Sequence, residues 1–380
     1  MIEGEHQFWD KEPISKTNLL NLSNNQIKTY DINNIRTSPY DLIDNFEWST
    51  ITDDDDIKDL FYFLNKNYIK SEEFIFNYNL NFLKWYLTFP NVNKDLFITV
   101  KLEDKIVGSI IGIPISIVSY DKNIKIVTIN FLCVHRKIRN KYLAPLLIKE
   151  VTRRTNLMNI WQAIFTDEVN IGESFCISKY YHRILNLKNA IEAKFINVSE
   201  NLSYDNIDDS IKRSFNVDKA KYKFVLLKEE YLEEAYLLYK NFVKEKKIYY
   251  NYSLDEFKHM FISRKNVTYT YILINDNKVT DMFNFYIINN KLLKLEDKYL
   301  NIGYYSYVIN NNITLEEILS DSLYYISNHN IDIVNILDNH FENINMDNLN
   351  FHKGTGNLKY YFYNWNLSKI NAIDNGIILV

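Results

Sequence analysis

Apolar residues along the chain recur in two series that match element for element. In the first, Ile57, Leu60, Phe61, Leu64 and Tyr68 have the spacing of a helix that buries one face. A second helical stretch follows near residues 80–87. Residues 96–102 and 106–115 then read as a hairpin turned by Glu103, Asp104 and Lys105, and residues 125–134 as a further strand. A helix over 143–157 and a strand over 160–165 close the series. The second series repeats this order. Helices are expected over 230–244 and 254–262, then a hairpin of 267–274 and 279–287 turned by Asn275, Asp276 and Asn277. A strand near 303–309, a helix over 315–327 and a strand over 331–337 follow. Val267 comes 172 positions after Asp95, and Ile331 comes 171 after Ile160. Near-constant offsets across several elements point to an internal duplication. The expected class is α/β in the α+β sense, with two pseudo-symmetric halves, 1–205 and 206–380.

The two strand-to-helix junctions carry different charge. The first reads Asn130-Phe131-Leu132-Cys133-Val134-His135-Arg136-Lys137-Ile138-Arg139-Asn140-Lys141-Tyr142-Leu143-Ala144-Pro145. Four basic residues sit just before a helix N-terminus, where backbone N–H groups and the helix dipole favour an anion. The second junction, residues 301–321, has no Lys or Arg and carries Glu316 and Glu317. One anion site, in the first half, is therefore expected. A basic loop by itself is more often a solvated turn, but a loop between an apolar strand and a helix suits an acyl-CoA. The order of elements resembles the acetyltransferase fold of the GNAT superfamily, whose strand-then-helix unit holds coenzyme A. An unrelated α+β fold with coincidental spacing is the alternative.

Composition narrows the classes. With 380 residues and 47% hydrophobic residues the chain has ample core, and a net charge of -4 offers no general basic surface for nucleic acid. Cys133 and Cys176 lie far apart, which argues against a disulfide framework or zinc site and for a reducing, cytoplasmic setting. The acidic start has no apolar signal-peptide region, Ile2 excludes a Met-Gly lipidation signal, and no run of about 18 apolar residues offers a membrane span. No metal site is expected. Asp53–Asp56 resembles a cation cluster, but its place before the Ile57 helix fits capping better.

Four blocks of the chain closely resemble the N-myristoyltransferase family. They are the Asn130-to-Pro145 block above, Gly354-Thr355-Gly356-Asn357-Leu358-Lys359-Tyr360-Tyr361-Phe362-Tyr363-Asn364-Trp365 near the C-terminus, Gln7-Phe8-Trp9-Asp10, and Tyr180-Tyr181-His182-Arg183. The resemblance spans nearly the whole chain. It implies a duplicated GNAT-like acyltransferase fold whose halves share a mixed, saddle-shaped sheet. It also implies transfer of a myristoyl group from myristoyl-CoA, a co-substrate rather than a prosthetic group, to the N-terminal glycine amine of a peptide. The implied partners are acyl-CoA and a glycine-initiated peptide, in a monomer, with the peptide groove largely in the second half.

The resemblance assigns roles by position. The backbone N–H groups of Phe131 and Leu132 form an oxyanion hole, and Asn130 and Thr166 orient the amine. The Val380 carboxylate serves as the base; an α-amino group has a pKa of about 8, so a modest pull frees it. Gln7, Phe8, Trp9, Phe131, Leu132, Cys133, Val134, Arg139, Asn140, Lys141, Tyr142, Leu143 and Ala144 hold acyl-CoA. Phe74, Phe76, Tyr78, Tyr180, His182, Ser306 and Leu358 line the peptide groove. Cys133 is read as a small apolar residue, not a nucleophile. Residue by residue, ordinary packing remains the alternative: a buried strand at 131–134, core packing for Trp9, a structural role for His182, a frayed end at Val380.

The chain departs from the family's pattern in several places. Tyr142 stands where a basic residue is usual, Thr355 where an Asp is, and Asp167-Glu168 where a small pair is. The loop from Ile69 to Glu73 is shortened and contains Lys70. Weaker selection for basic residues downstream of the glycine is therefore expected. A related acyltransferase with another chain length or a lysine acceptor, or an inactive acyl-CoA or lipopeptide binder, are the competing readings.

Overall fold

The computed structural model describes residues 8–16, 23–43, 45–69, 74–196, 204–293 and 298–379. Gln7, Val380 and residues 70–73 of the shortened loop fall outside the described residues. In chain order the strands are β1 (Asn24–Gln26), β2 (Phe46–Thr50), β3 (Phe74–Asn77), β4 (Phe97–Leu102), β5 (Lys105–Ser119), β6 (Lys122–Val134), β7 (Ala163–Asp167) and β8 (Cys176–Ile184). They continue as β9 (Val225–Leu226), β10 (Ile248–Tyr250), β11 (Thr268–Asn275), β12 (Lys278–Leu292), β13 (Tyr299–Ile309), β14 (Ile333–Leu337), β15 (His352–Tyr363), β16 (Trp365–Leu367) and β17 (Asn375–Gly376). The α-helices are α1 (Asp54–Asn67), α2 (Leu80–Leu87), α3 (Leu143–Leu157), α4 (Leu187–Glu192), α5 (Asp209–Ser214), α6 (Leu232–Val243), α7 (Leu254–Phe261) and α8 (Leu315–Ser327).

Local chemistry explains the helices. Asp53 caps α1 by accepting from the Asp55 and Asp56 N–H groups, so the acidic run is spent on the helix start. Ile57, Leu60, Phe63 and Leu64 form its buried face. Helices α7 and α8 begin with reciprocal Ser253–Glu256 and Thr314–Glu317 capping boxes.

Fifteen strands join in one mixed sheet whose main path runs β17-β10-β5-β6-β7-β15-β8-β14-β13-β12-β11-β9, with β2 and β4 continuing from β5 and β3 added to β12. The run β4 to β7 recurs as β11 to β14. The repetition extends to irregularities. A bulge on β5 at Val107 has its counterpart on β12 at Thr280, and one on β6 at Phe131-Leu132 has its counterpart on β13 near Ser306. Within each half, the parallel pair makes contact only briefly: β6 with β7 at Val127 and Thr128, β13 with β14 from Ile302 to Tyr304. Beyond those residues the strands part.

The halves are then laced together. β8 follows β7 in sequence but pairs with β14, while β15 follows β14 but pairs with β7, and β8 and β15 pair with each other. A single apolar cluster runs from Phe82 and Phe131 of the first half to Tyr286 and Tyr307 of the second.

The expected elements are present, with some ends moved: β7 and β14 begin at Ala163 and Ile333, after the expected 160 and 331, while α3 and α8 keep the expected bounds. β5 and β6 extend past the expected limits to a turn at Tyr120-Asp121, because Ile117, Val118 and Ser119 pair with β10 of the other half. Strands β2, β3, β8, β10 and β15 were not expected from periodicity. Among the described residues no helix is long and apolar enough to cross a membrane.

Two buried histidines make stability depend on pH. Burial pushes His259 down to about 4 and His340 down to about 3. An unfolded histidine titrates near 6.5, so below that pH the unfolded chain takes up protons that the folded chain refuses. Their contribution is complete above about pH 6.5 and is lost as the pH falls toward the folded values. At pH 5 each costs about 2 kcal/mol. Chemical denaturation at pH 7 and pH 5 is expected to show a clear loss, and His340→Asn is expected to shrink it. Equal stability at both values contradicts the assignment.

Candidate active site

A cavity of about 660 Å³ opens where β6 and β7 diverge. On the first-half side it is lined by Ile129 of β6, Ile148, Val151 and Thr155 of α3, and Phe165 and Thr166 of β7. On the second-half side it is lined by Tyr286, Asn290, Tyr304 and Asn335, with Tyr180 and His182 of the exchanged strand β8 beside them. The interleaving of halves thus puts both walls around one space.

The β6 bulge lies at the centre. The β5–β6 register passes from Ser109–Cys133 to Ile111–Asn130, leaving Phe131 and Leu132 against Ile110 alone. Phe131 has a φ of 53°, left-handed backbone that a bulky residue adopts at a cost of about 1–3 kcal/mol. The second-half bulge contains no residue of positive φ. Ser109 Oγ donates to the Phe131 carbonyl at 2.8 Å. In a trans peptide the carbonyl and the following N–H point opposite ways, so this bond turns the Leu132 N–H away from Ser109. The Phe131 backbone makes a hydrogen bond with the Tyr68 hydroxyl, whose pKa burial raises well above the ordinary phenol range. Interrupting the ladder here therefore redirects two successive backbone donors.

Asn130, Phe131, Leu132 and Thr166 all line the cavity. The Asn130 amide donates to Tyr86 Oη at 2.6 Å, which fixes its side chain. Leu379, the last described residue, lines the same cavity. Cys133 is buried, and burial pushes its thiol up to about 12 despite Arg139 and Arg136 nearby. A thiol held protonated is a poor nucleophile.

The acyl-CoA positions divide. Trp9 lines the cavity and stacks on Phe165 at 5.5 Å, while Phe8 packs against Trp9 at 5.2 Å without lining it. Leu143, Cys133 and Val134 are buried in the core. The loop residues Arg139, Asn140, Lys141 and Tyr142 are exposed outside the cavity. Arg139 donates to the Asn67 and Val134 carbonyls, so it also braces the loop. Helix α3 starts at Leu143 after Tyr142 in left-handed conformation, with no side-chain cap, and Ala144 is in its first turn. Its N-terminal N–H groups stay available to an anion.

The second half closes the equivalent place with its own groups. Asp281 of β12 stands where Gly108 stands on β5, next to the matching bulge. Its Oδ1 accepts from the N–H groups of Asn311, Asn312 and Ile313 at 2.8, 2.9 and 3.2 Å. The Thr314–Glu317 box satisfies the start of α8. A carboxylate of the chain thus occupies the loop that the first half leaves open.

Of the expected peptide positions, Phe76, Tyr78, Tyr180, His182 and Leu358 line the cavity. Phe74 is in β3, and its side chain lies outside the described residues. Ser306 does not line it. Ser306 is the extra residue of the β13 bulge, which shifts side-chain alternation by one: Ile302 and Tyr304 face one core before it, Tyr307 and Ile309 after it. Asn290 of β12, buried with its Oδ1 unpartnered, lines the cavity at a different point of the sheet, opposite Leu300. Asn335 was also missed; it holds His182 Nδ1 at 2.7 Å, and burial lowers the His182 pKa. Gly354 crosses His182 so closely that a Cβ would come within 2.3 Å of Nε2. Thr355 is exposed and away from the cavity, whereas Asp167 and Glu168 line it, so the wall keeps two carboxylates.

If Cys133 is only packing, Cys133→Ala retains acyl transfer within about threefold, since a thiol held near pKa 12 supplies almost no thiolate at neutral pH. Loss of more than a hundredfold in a folded variant contradicts this.

Comparison with known proteins agrees with this geometry. The family model for the N-terminal domain of myristoyl-CoA:protein N-myristoyltransferase matches residues 26–178, and that for the C-terminal domain matches 192–377. The glycylpeptide N-tetradecanoyltransferase of Plasmodium falciparum is 32% identical over 396 residues, covering 100% of this chain and 94% of that protein. That of Drosophila melanogaster is 31% identical, covering 98% of this chain and 80% of the relative. A crystal structure of Saccharomyces cerevisiae N-myristoyltransferase with bound myristoyl-CoA superposes with a TM-score of 0.90 at 28% identity, covering 96% and 94% of the two chains. The chain therefore belongs to the myristoyl-CoA:protein N-myristoyltransferase family, a family of acyltransferases.

Proposed function

We propose that this protein transfers the tetradecanoyl group of myristoyl-CoA to the N-terminal glycine amine of a peptide by direct attack on the thioester. The names of its relatives supply the acceptor. The observation that carries the mechanism is the left-handed bulge at Phe131-Leu132, aimed into the cavity that Leu379 also reaches.

The steps follow from the groups present. The open start of α3 and its basic loop hold the phosphates of the co-substrate, and the apolar wall between α3 and β7 takes the acyl chain. The peptide enters along Tyr180, His182 and Tyr304. The Val380 carboxylate removes a proton from the glycine ammonium, and Asn130 and Thr166 orient the free amine. Nitrogen attacks the carbonyl carbon. The carbonyl oxygen gains charge as it becomes tetrahedral and is held by the Phe131 and Leu132 N–H groups. The Tyr68 hydroxyl marks where an oxygen acceptor sits against the first of these donors. One such donor is worth about 2.7–4 kcal/mol of barrier. The C–S bond then breaks, coenzyme A leaves as thiolate and is protonated, and the amide loses its extra proton.

Adding one glycine after Val380 moves the carboxylate while leaving the acyl-CoA site intact. Turnover is expected to fall by on the order of a hundredfold or more, the range of a general base, with acyl-CoA affinity unchanged. Unchanged turnover removes the terminal carboxylate from the mechanism.

A further inference from the structure

Residues 370–379 are held in a way that a simple chain end does not require. Ile370 N donates to the Phe175 carbonyl at 2.8 Å, Lys246 Nζ to the Ile373 carbonyl at 2.7 Å, and Lys247 N to the Asp374 carbonyl at 2.9 Å. Asn375 and Gly376 then form β17, parallel to β10 at the sheet's end. There the chain turns inward. Asn375, 1% exposed, uses Oδ1 to accept from Ile377 N at 3.0 Å, a side-chain turn that redirects the backbone from the sheet into the core. Asn339 Nδ2 donates to the Asn375 carbonyl at 3.2 Å, and Tyr307 Oη donates to the Gly376 carbonyl at 2.9 Å. Ile377 and Ile378 are buried beyond this point, and Leu379 reaches the cavity.

Two hydrogen bonds from buried side chains hold the carbonyls of Asn375 and Gly376, and the Asn375 side chain holds the Ile377 N–H. Among the described residues the last carbonyl held this way, that of Gly376, lies four residues before the terminus. A free chain of that length sweeps a radius of about 14 Å, so its end would spend little time at any one place. Buried polar side chains are retained at a desolvation cost unless they fix something. Here Asn339 Oδ1, Asn375 Nδ2 and Tyr360 Oη are buried without a partner of normal geometry, which shows how much polarity is packed under the turn. An apolar plug would fill this space more cheaply but would not fix the direction of residues 377–380.

We infer that Asn375, Tyr307 and Asn339 are positioning residues for acyl transfer, which clamp the chain so that its terminal carboxylate stands beside the acceptor amine. The inference rests on the reading that this carboxylate is the base. Asn339, Asn375 and Tyr307 do not line the cavity, so the clamp sets the direction of the chain end and leaves the cavity wall unchanged.

The test is kinetic and uses the full chain with myristoyl-CoA and a glycine-initiated peptide. At pH 7 the peptide amine, with a pKa of about 8, is mostly protonated and needs the base; at pH 9 it is mostly free. Asn375→Ala is expected to lower kcat about tenfold at pH 7 with the KM for acyl-CoA unchanged, and the deficit relative to the parent at the same pH is expected to narrow to about threefold or less at pH 9. Tyr307→Phe keeps the ring and removes only the hydroxyl, so it folds; it is expected to show the same pH-dependent pattern at about threefold. Equal deficits at both pH values, or no deficit in either folded variant, overturn the inference. The extension after Val380 is run in parallel. If the extended chain loses turnover while both clamp variants match the parent, the clamp fails and the base stands. If the extended chain turns over normally, the base itself fails, and the clamp with it.

Discussion

Strands β8 and β15 leave the halves that precede them and pair with each other across the middle of the molecule, each beside the parallel strand of the opposite half. Neither half completes a sheet without the other. The exchange also decides where the cavity lies. Each half has a short parallel contact from which two strands diverge, and the crossed strands bring the two divergences face to face. Tyr180 and His182 come from the first half of the sequence but stand on the second-half wall for this reason.

Duplication supplied the frame, and small changes gave the halves different tasks. Both carry bulges at matching places, yet only the first-half bulge is left-handed and lined with a cavity. Gly108 puts no carboxylate beside the first loop and packs against Leu143 and Leu147, whereas Asp281 fills the second loop with an internal anion. The second-half sheet face, with Tyr286, Asn290 and Tyr304, forms the other wall of the cavity.

Much of this was legible in the residues. Periodicity located the repeated helices and the two hairpins, since both faces of those elements meet close neighbours in sequence. The contrast between Arg139-Asn140-Lys141 and Glu316-Glu317 matches the uncapped start of α3 and the capping box at the start of α8. Periodicity did not reveal β8, β10 or β15, whose partners lie more than a hundred residues away or in the other half. Ser306, placed in the groove by the family resemblance, does not line the cavity, and it is the extra residue of the β13 bulge. Asp53–Asp56 shows the converse: a suggestive cluster whose local position before a helix already explained it. Phe131 is the instructive case. Its apolar run reads as an ordinary strand, and only the backbone angle shows that the ladder breaks there.

The central claim is direct acyl transfer within one cavity shared by both halves. The most direct measurement is mass spectrometry after incubating the chain with myristoyl-CoA, with and without a glycine-initiated peptide that also contains a lysine. The account predicts a tetradecanoyl amide on the α-amine of the peptide, and no acyl group on the protein when the peptide is omitted. Acylation confined to the lysine, or an acyl group on Cys133 that passes to added peptide, contradicts it.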